Sequence, residues 1–203
     1  MELDTDAVLW TEPADQIGGR DLLVALHGLG ASEQDLFSLR PMLPPGLAFA
    51  SLRAPVRHGG GWSWWPLDFS REEADGADDA AGTVLAWLDT LPPLRSVRLV
   101  GFSQGGATAL ALLRRAPGRF VRTAVLAGFV PTRSHPGDAA VAAARPEVFW
   151  GRGDLDTVIP AVAVAETERW LFAHTRLKAR VYAGLGHSVS IEEVADTAQF
   201  LAP

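Results

Sequence analysis

One short string, Gly101-Phe102-Ser103-Gln104-Gly105, constrains this chain more than any other. It directly follows an apolar run at residues 97–100 and opens a small, apolar, helix-like stretch at 104–116. A strand that turns into a helix within a few residues belongs to a sheet with helices packed across its faces. The glycines define the turn. The serine between them takes a strained backbone conformation, and a Cβ at position 101 or 105 would clash. The helix start behind the serine favours negative charge developing beside it.

The rest of the chain repeats the same alternation. Apolar runs at 22–26, 48–52, 97–100, 124–126 and 148–150 read as buried strands. Residues 177–182 alternate apolar and basic side chains, as a strand near a sheet edge does, and 7–10 adds a strand at the other edge. Helical stretches fall between them. The spacing predicts helices at 32–43 (capped by Ser32 and ending before Pro44), 75–91, 104–116, 160–174 and 190–201. The last opens on Ser190 and Glu193, a capping-box pair. This order predicts an α/β chain with a mostly parallel central sheet and helices on both faces. A length of 203 residues suits one domain over 1–203. The segments 55–76 and 128–145, rich in Gly, Pro and short polar residues, are the strand-end loops expected to build a site.

Charge and composition remove several classes of function. A formal net charge of −6 is the wrong sign for neutralising phosphates, so no nucleic-acid partner is expected. The acidic start, Met1-Glu2-Leu3-Asp4, is unlike a secretory signal, and no apolar run is long enough to span a bilayer. No integral membrane association is expected. The chain has no cysteine, which excludes disulfides, thiol nucleophiles and cysteine metal clusters and fits a cytoplasmic location.

Ser103 needs a base, because a serine hydroxyl is a poor nucleophile at neutral pH. In a strand–turn–helix site of this kind the chain order is Ser, then Asp or Glu, then His. Of five histidines only His174 and His187 lie well past Ser103. His174 ends a predicted helix, where a cation suits the dipole and a structural role suffices. His187 sits in a glycine loop, Gly184-Leu185-Gly186-His187-Ser188, and is the candidate base. The acid must come from Gly153-Asp154-Leu155-Asp156-Thr157, just past a strand, where Asp154 and Asp156 compete. One should orient the imidazole and the other hold the turn, and spacing does not choose between them. Two backbone amides should bind an oxyanion: that of Gln104, after the nucleophile, and that of Leu29 in His27-Gly28-Leu29-Gly30. His27 itself is expected to be structural, bonding loop backbone.

Four motifs, in order, resemble those of the phospholipase/carboxylesterase family of α/β-hydrolases, which includes the acyl-protein thioesterases. They are Leu26-His27-Gly28-Leu29-Gly30, Gly101-Phe102-Ser103-Gln104-Gly105-Gly106, Gly153-Asp154-Leu155-Asp156-Thr157-Val158-Ile159-Pro160 and Gly186-His187-Ser188. The resemblance spans nearly the whole chain. It implies an α/β-hydrolase fold with little or no lid, no metal and no cofactor. It also implies a Ser103, Asp156, His187 triad, since the family uses the second aspartate of the third motif. Ile159 replaces a more usual Val, and Gly151-Arg152-Gly153 departs from a more usual His-Gly. The implied substrate is a small-molecule carboxyl ester or thioester of modest size, with lysophospholipase or acyl-protein thioesterase activity as variants.

Trp62-Ser63-Trp64-Trp65-Pro66-Leu67-Asp68 places three of the seven tryptophans in one loop. Such a loop either packs its own aromatics or walls an acyl pocket. It would also serve as a contact surface, with a homodimer as the simplest case. The pocket-wall candidates are Leu29, Trp65, Phe129, Val130 and Val158. Two competing readings follow: a peptidase or C–C hydrolase, disfavoured because no cap domain is present to select peptides, and a non-catalytic small-molecule binding module, which need not keep serine, acid and base in order. The hydrolase reading predicts that activity falls as His187 protonates at acidic pH.

Overall fold

The computed structural model describes residues 2–67, 74–131 and 134–203. Its strands are β1 (Leu9–Trp10), β2 (Asp21–Leu26), β3 (Ala48–Leu52), β4 (Val56–His58), β5 (Gly61–Ser63), β6 (Ser96–Phe102), β7 (Phe120–Leu126), β8 (Glu147–Gly153) and β9 (Arg176–Tyr182). Its α-helices are α1 (Glu33–Phe37), α2 (Ala74–Asp89), α3 (Gln104–Arg115), α4 (Asp138–Ala144), α5 (Ala161–His174) and α6 (Ile191–Leu201). Seven strands form one sheet in the order β1-β3-β2-β6-β7-β8-β9. All neighbours are parallel except β1, which runs antiparallel to β3. The remaining two, β4 and β5, form a separate antiparallel hairpin.

The central strands are apolar on both faces because both faces are covered. Along β2, Leu22, Val24 and Leu26 belong to the core cluster that includes residues of α2, α3 and α5, while Leu23 and Ala25 belong to the one that includes residues of α1 and α6. The same alternation runs through β3, with Ala48, Ala50 and Leu52 on one side and Phe49 on the other. At the sheet edge β9 has only β8 as a neighbour, and most of its side chains are exposed. That explains the apolar–basic alternation of its sequence. The mostly parallel sheet with helices on both faces, expected from the alternation of strands and helices, is the one found.

Three local readings need correction. The helix expected over 32–43 stops at Phe37 and is followed by a 3₁₀ turn, Arg40–Met42. Pro41 has no N–H to give the Phe37 carbonyl and disfavours helical backbone at Arg40. The segment 128–145, read as loop, contains α4, whose single buried residue is Val141. The segment 55–76 contains the β4–β5 hairpin, which turns at Gly59 and Gly60 with Gly59 at φ +56°. Asp68 lies outside the described residues. No helix among the described residues is long and apolar enough to cross a membrane.

Candidate active site

Ser103 lies between the end of β6 and the first residue of α3 with φ 52° and ψ −116°. This conformation costs an L-residue on the order of 1–3 kcal/mol, so the surroundings must hold it. They do so from three sides. The Ser103 amide donates to Leu126 O at 2.8 Å, and the Ala107 amide donates back to Ser103 O at 3.0 Å. A Cβ on Gly105 would strike the Leu26 and His27 carbonyls, and one on Gly101 would strike the Gly105 carbonyl. The two glycines therefore allow α3 to start directly against the end of β2, which fixes where Oγ points.

His187 and Asp156 arrive from the ends of neighbouring strands. His187 follows β9 and Asp156 follows β8. The His187 Nε2 lies 2.9 Å from Ser103 Oγ, and its Nδ1 lies 2.7 Å from Asp156 Oδ2. The other Asp156 oxygen accepts the Val158 and Ile159 amides at 2.9 and 3.2 Å. Burial alone would push the Asp156 carboxyl up, but the bonds from His187, Ile159 and Val158 outweigh it and hold the group below its ordinary value. It is therefore ionised and aimed. Phe102 packs beside the imidazole, with ring centroids 5.0 Å apart.

Asp154, the competing carboxylate, points elsewhere. Its Oδ1 accepts the Gly184 amide at 2.7 Å, which ties the loop after β8 to the loop that carries His187. Two backbone bonds reinforce the tie, from the Asp154 amide to Tyr182 O at 3.1 Å and from the Leu155 amide to Leu185 O at 3.0 Å. Gly153 makes the crossing possible, because a Cβ there would collide with the Leu185 carbonyl. The two aspartates thus make separate contacts, Asp156 with His187 and Asp154 with the Gly184 amide, a division that residue spacing alone does not give. Gly153 was visible only as part of a motif. Its role as a clearance glycine depends on a loop approach that no local pattern encodes.

The two amides expected to face an oxyanion belong to loops held by one segment. The Gln104 amide opens α3 and so has no intrahelical acceptor. The Gln104 side chain accepts the Trp64 amide at 3.0 Å and donates to Trp65 O at 2.8 Å. On the other side, Trp64 Nε1 donates to His27 O at 2.9 Å, and the Gly30 amide donates to Trp62 O at 2.8 Å. Residues 62–65 therefore brace both loops that carry the expected oxyanion donors. A Cβ placed on Gly28 would lie 3.5 Å from Ser103 Cβ, so the Leu29 loop passes directly over the serine.

This bracing revises the pocket walls. Trp64 and Trp65 are fully buried, and Phe129 and Val130 pack in the same core cluster. Trp65 has almost no accessible surface to offer a substrate; it acts through its carbonyl on Gln104 and is a core residue rather than the expected pocket wall. Phe129 and Val130 present little more. A large aromatic in a glycine-flanked loop reads equally as wall or core, and here the adjacent main core takes it. Trp62 remains half-buried, with the Arg53 and Arg57 guanidinium carbons 4.9 and 4.3 Å from its ring centre. Leu29 and Val158 remain exposed, together with Leu155 and Val162 on the Asp156 side.

Known proteins share this plan. A family model described as phospholipase/carboxylesterase matches residues 14–203. The acyl-protein thioesterase 1 of Kluyveromyces lactis is 27% identical over 90% of this chain and 91% of its own. A probable carboxylesterase of Oryza sativa subsp. japonica is 30% identical over 86% of this chain and 74% of its own. Among solved structures, esterase PE8 superposes with a TM-score of 0.77 at 28% identity, covering 99% of this chain and 98% of the other. With the sheet order, the serine elbow and a family match that takes in every residue of the site, the chain belongs to the phospholipase/carboxylesterase family of α/β-hydrolases.

Proposed function

We propose that this protein hydrolyses carboxyl esters or thioesters through an acyl-enzyme on Ser103, with His187 as general base and acid and Asp156 as its orienting carboxylate. The observation that carries the reading is the unbroken chain from Ser103 Oγ to His187 Nε2 at 2.9 Å and from His187 Nδ1 to Asp156 Oδ2 at 2.7 Å, set at the start of α3. In the first half-reaction Oγ bonds to the acyl carbon as its proton passes to Nε2. The bond to the leaving oxygen or sulfur then breaks, and Nε2 returns the proton to that atom. Water repeats the sequence in the second half, which releases the acid and restores Ser103. The amides of Leu29 and Gln104 bind the developing oxyanion, each worth about 3–4 kcal/mol at the transition state. The Asp156 carboxylate holds His187 with Nδ1 protonated, which leaves Nε2 free to accept.

The exposed apolar side chains of Leu29, Leu155, Val158 and Val162 lie on the loops that carry these groups. They favour an acyl chain of small to medium length over a polar substrate. A panel of p-nitrophenyl esters and acyl thioesters of rising chain length tests the reading. Turnover should depend on chain length and vanish in Ser103→Ala. Turnover retained in Ser103→Ala would exclude it.

A further inference from the structure

His27 is fully buried and is no part of the Ser103–His187–Asp156 chain. Its Nε2 receives the Ala54 amide at 3.1 Å. A backbone amide can only donate, so Nε2 is the unprotonated nitrogen and Nδ1 carries the proton. Nδ1 lies 2.7 Å from Gly28 O and donates to it. Burial lowers the imidazole below its ordinary value, against the pull of the Gly28 carbonyl, which keeps this tautomer neutral.

The partner carbonyl matters because of what shares its peptide plane. Gly28 C=O and Leu29 N–H are the two ends of one peptide unit. No peptide bond is cis among the described residues, so the two groups point in opposite directions. Holding Gly28 O against the buried imidazole turns the Leu29 N–H outward. The neighbouring polar groups of this turn are already committed. Gly28 O also accepts the Ala31 amide at 3.2 Å, His27 O accepts Trp64 Nε1, and the Gly30 amide is bound to Trp62 O. The Leu29 amide has no acceptor among the described residues.

We infer that His27 is a positioning residue for the reaction, its Nδ1–H clamping the Gly28–Leu29 peptide so that the Leu29 amide is presented to the oxyanion. This rests on the hydrolase reading above. The bond from the Ala54 amide anchors the imidazole from behind, so the segment just past β3, two strands from β6 in the sheet, sets the aim of a donor beside the serine. A histidine in this role serves as a rigid two-ended spacer rather than as an acid or base.

The test separates the two ends of the ring. In His27→Asn the side-chain amide nitrogen occupies the place of Nδ1 and keeps the donor to Gly28 O. In His27→Gln the functional group reaches only the place of Nε2. Removing one oxyanion donor costs roughly a hundredfold to a thousandfold in kcat, and misaiming one should cost about tenfold to a hundredfold. His27→Gln is therefore expected to lose that much kcat with KM nearly unchanged, and His27→Asn to retain most of it. Affinity for an alkyl boronic acid, which mimics the tetrahedral adduct, should fall in step with kcat/KM across the variants, whereas affinity for the product acid should not. Equal kcat in His27→Gln and wild type, or equal loss in both variants, would overturn the inference.

If the variants do not fold, nitrogen NMR on the wild type decides. A proton on Nδ1 of His27 that persists across pH supports the clamp, and a proton on Nε2 refutes it. Absence of ester turnover in the wild type would refute the hydrolase reading instead.

Discussion

Glu193 offers the sharpest stability prediction in the molecule. It lies on the first turn of α6, is fully buried, and its carboxyl sits so close over Gly151 that a Cβ there would meet it. Half of the expected capping box is present, since Ser190 Oγ accepts the Glu193 amide at 3.1 Å. The return half is not. Neither carboxyl oxygen has a partner in full hydrogen-bond geometry among the described residues, although the Ser190 backbone amide is near enough to favour the charged form. Burial, with a smaller push from Asp196, raises the carboxyl from 4.5 to about 7, and the Ser190 amide only partly opposes this.

The sign of the linkage follows. Below pH 4.5 folded and unfolded chains both carry the proton. Between 4.5 and about 7 only the unfolded chain releases it, so stability falls as pH rises. Above about 7 both release it and the loss levels off. At about 1.4 kcal/mol per tenfold difference in proton affinity, the rise corresponds to about 3 kcal/mol. Glu193→Gln has the same shape and no titration. The second amide hydrogen of glutamine adds a cost, but one independent of pH. Urea unfolding of both proteins at pH 4 and pH 8 should show the variant gaining about 3 kcal/mol relative to wild type between the two. Parallel stability curves across that range would show that burial does not raise the Glu193 carboxyl.

Two further substitutions probe the site. Asp156→Asn should lower kcat by about 10⁴, because the imidazole loses the partner that fixes its tautomer. Asp154→Asn should cost about 1 kcal/mol of stability and leave kcat within about tenfold, since the Asp154 side chain accepts the Gly184 amide and does not touch His187; comparable kcat losses in both would contradict the division of roles. Gly153→Ala should reduce both activity and melting temperature, because its Cβ must push the Leu185 carbonyl and with it the His187 loop. Unchanged kcat in a folded Gly153→Ala protein would show that the loop crossing does not position His187.

Much of this arrangement was legible in the residues. Strands β2, β3, β6, β7 and β8 announce themselves because a parallel sheet covered on both faces needs uninterrupted apolar runs, and those runs are visible without any partner. The serine elbow is equally local. Its two glycines, the strand before and the helix after are contiguous, and the clashes they avoid occur within that unit or against the end of β2. What escaped is set by tertiary approach. Spacing does not divide the labour between Asp154 and Asp156, which depends on how the loop after β8 crosses the loop after β9; only the family resemblance pointed to Asp156. Trp65 looked like a pocket wall because aromatics in a glycine-rich loop suit either fate, and only the position of α2 and Gln104 sends it inward. The β4–β5 hairpin has three-residue strands with no apolar period to detect. The misread end of α1 is different in kind, for Pro41 stood in the sequence as a sufficient reason to stop the helix earlier.

The proposed reaction requires Ser103 to be a nucleophile activated by His187. Incubation with a fluorophosphonate ester, followed by intact mass and peptide mapping, tests it directly. A single adduct is expected, on Ser103, that forms far more slowly in His187→Ala and not at all in Ser103→Ala. An adduct on another residue, or none on the folded wild-type protein, would contradict it.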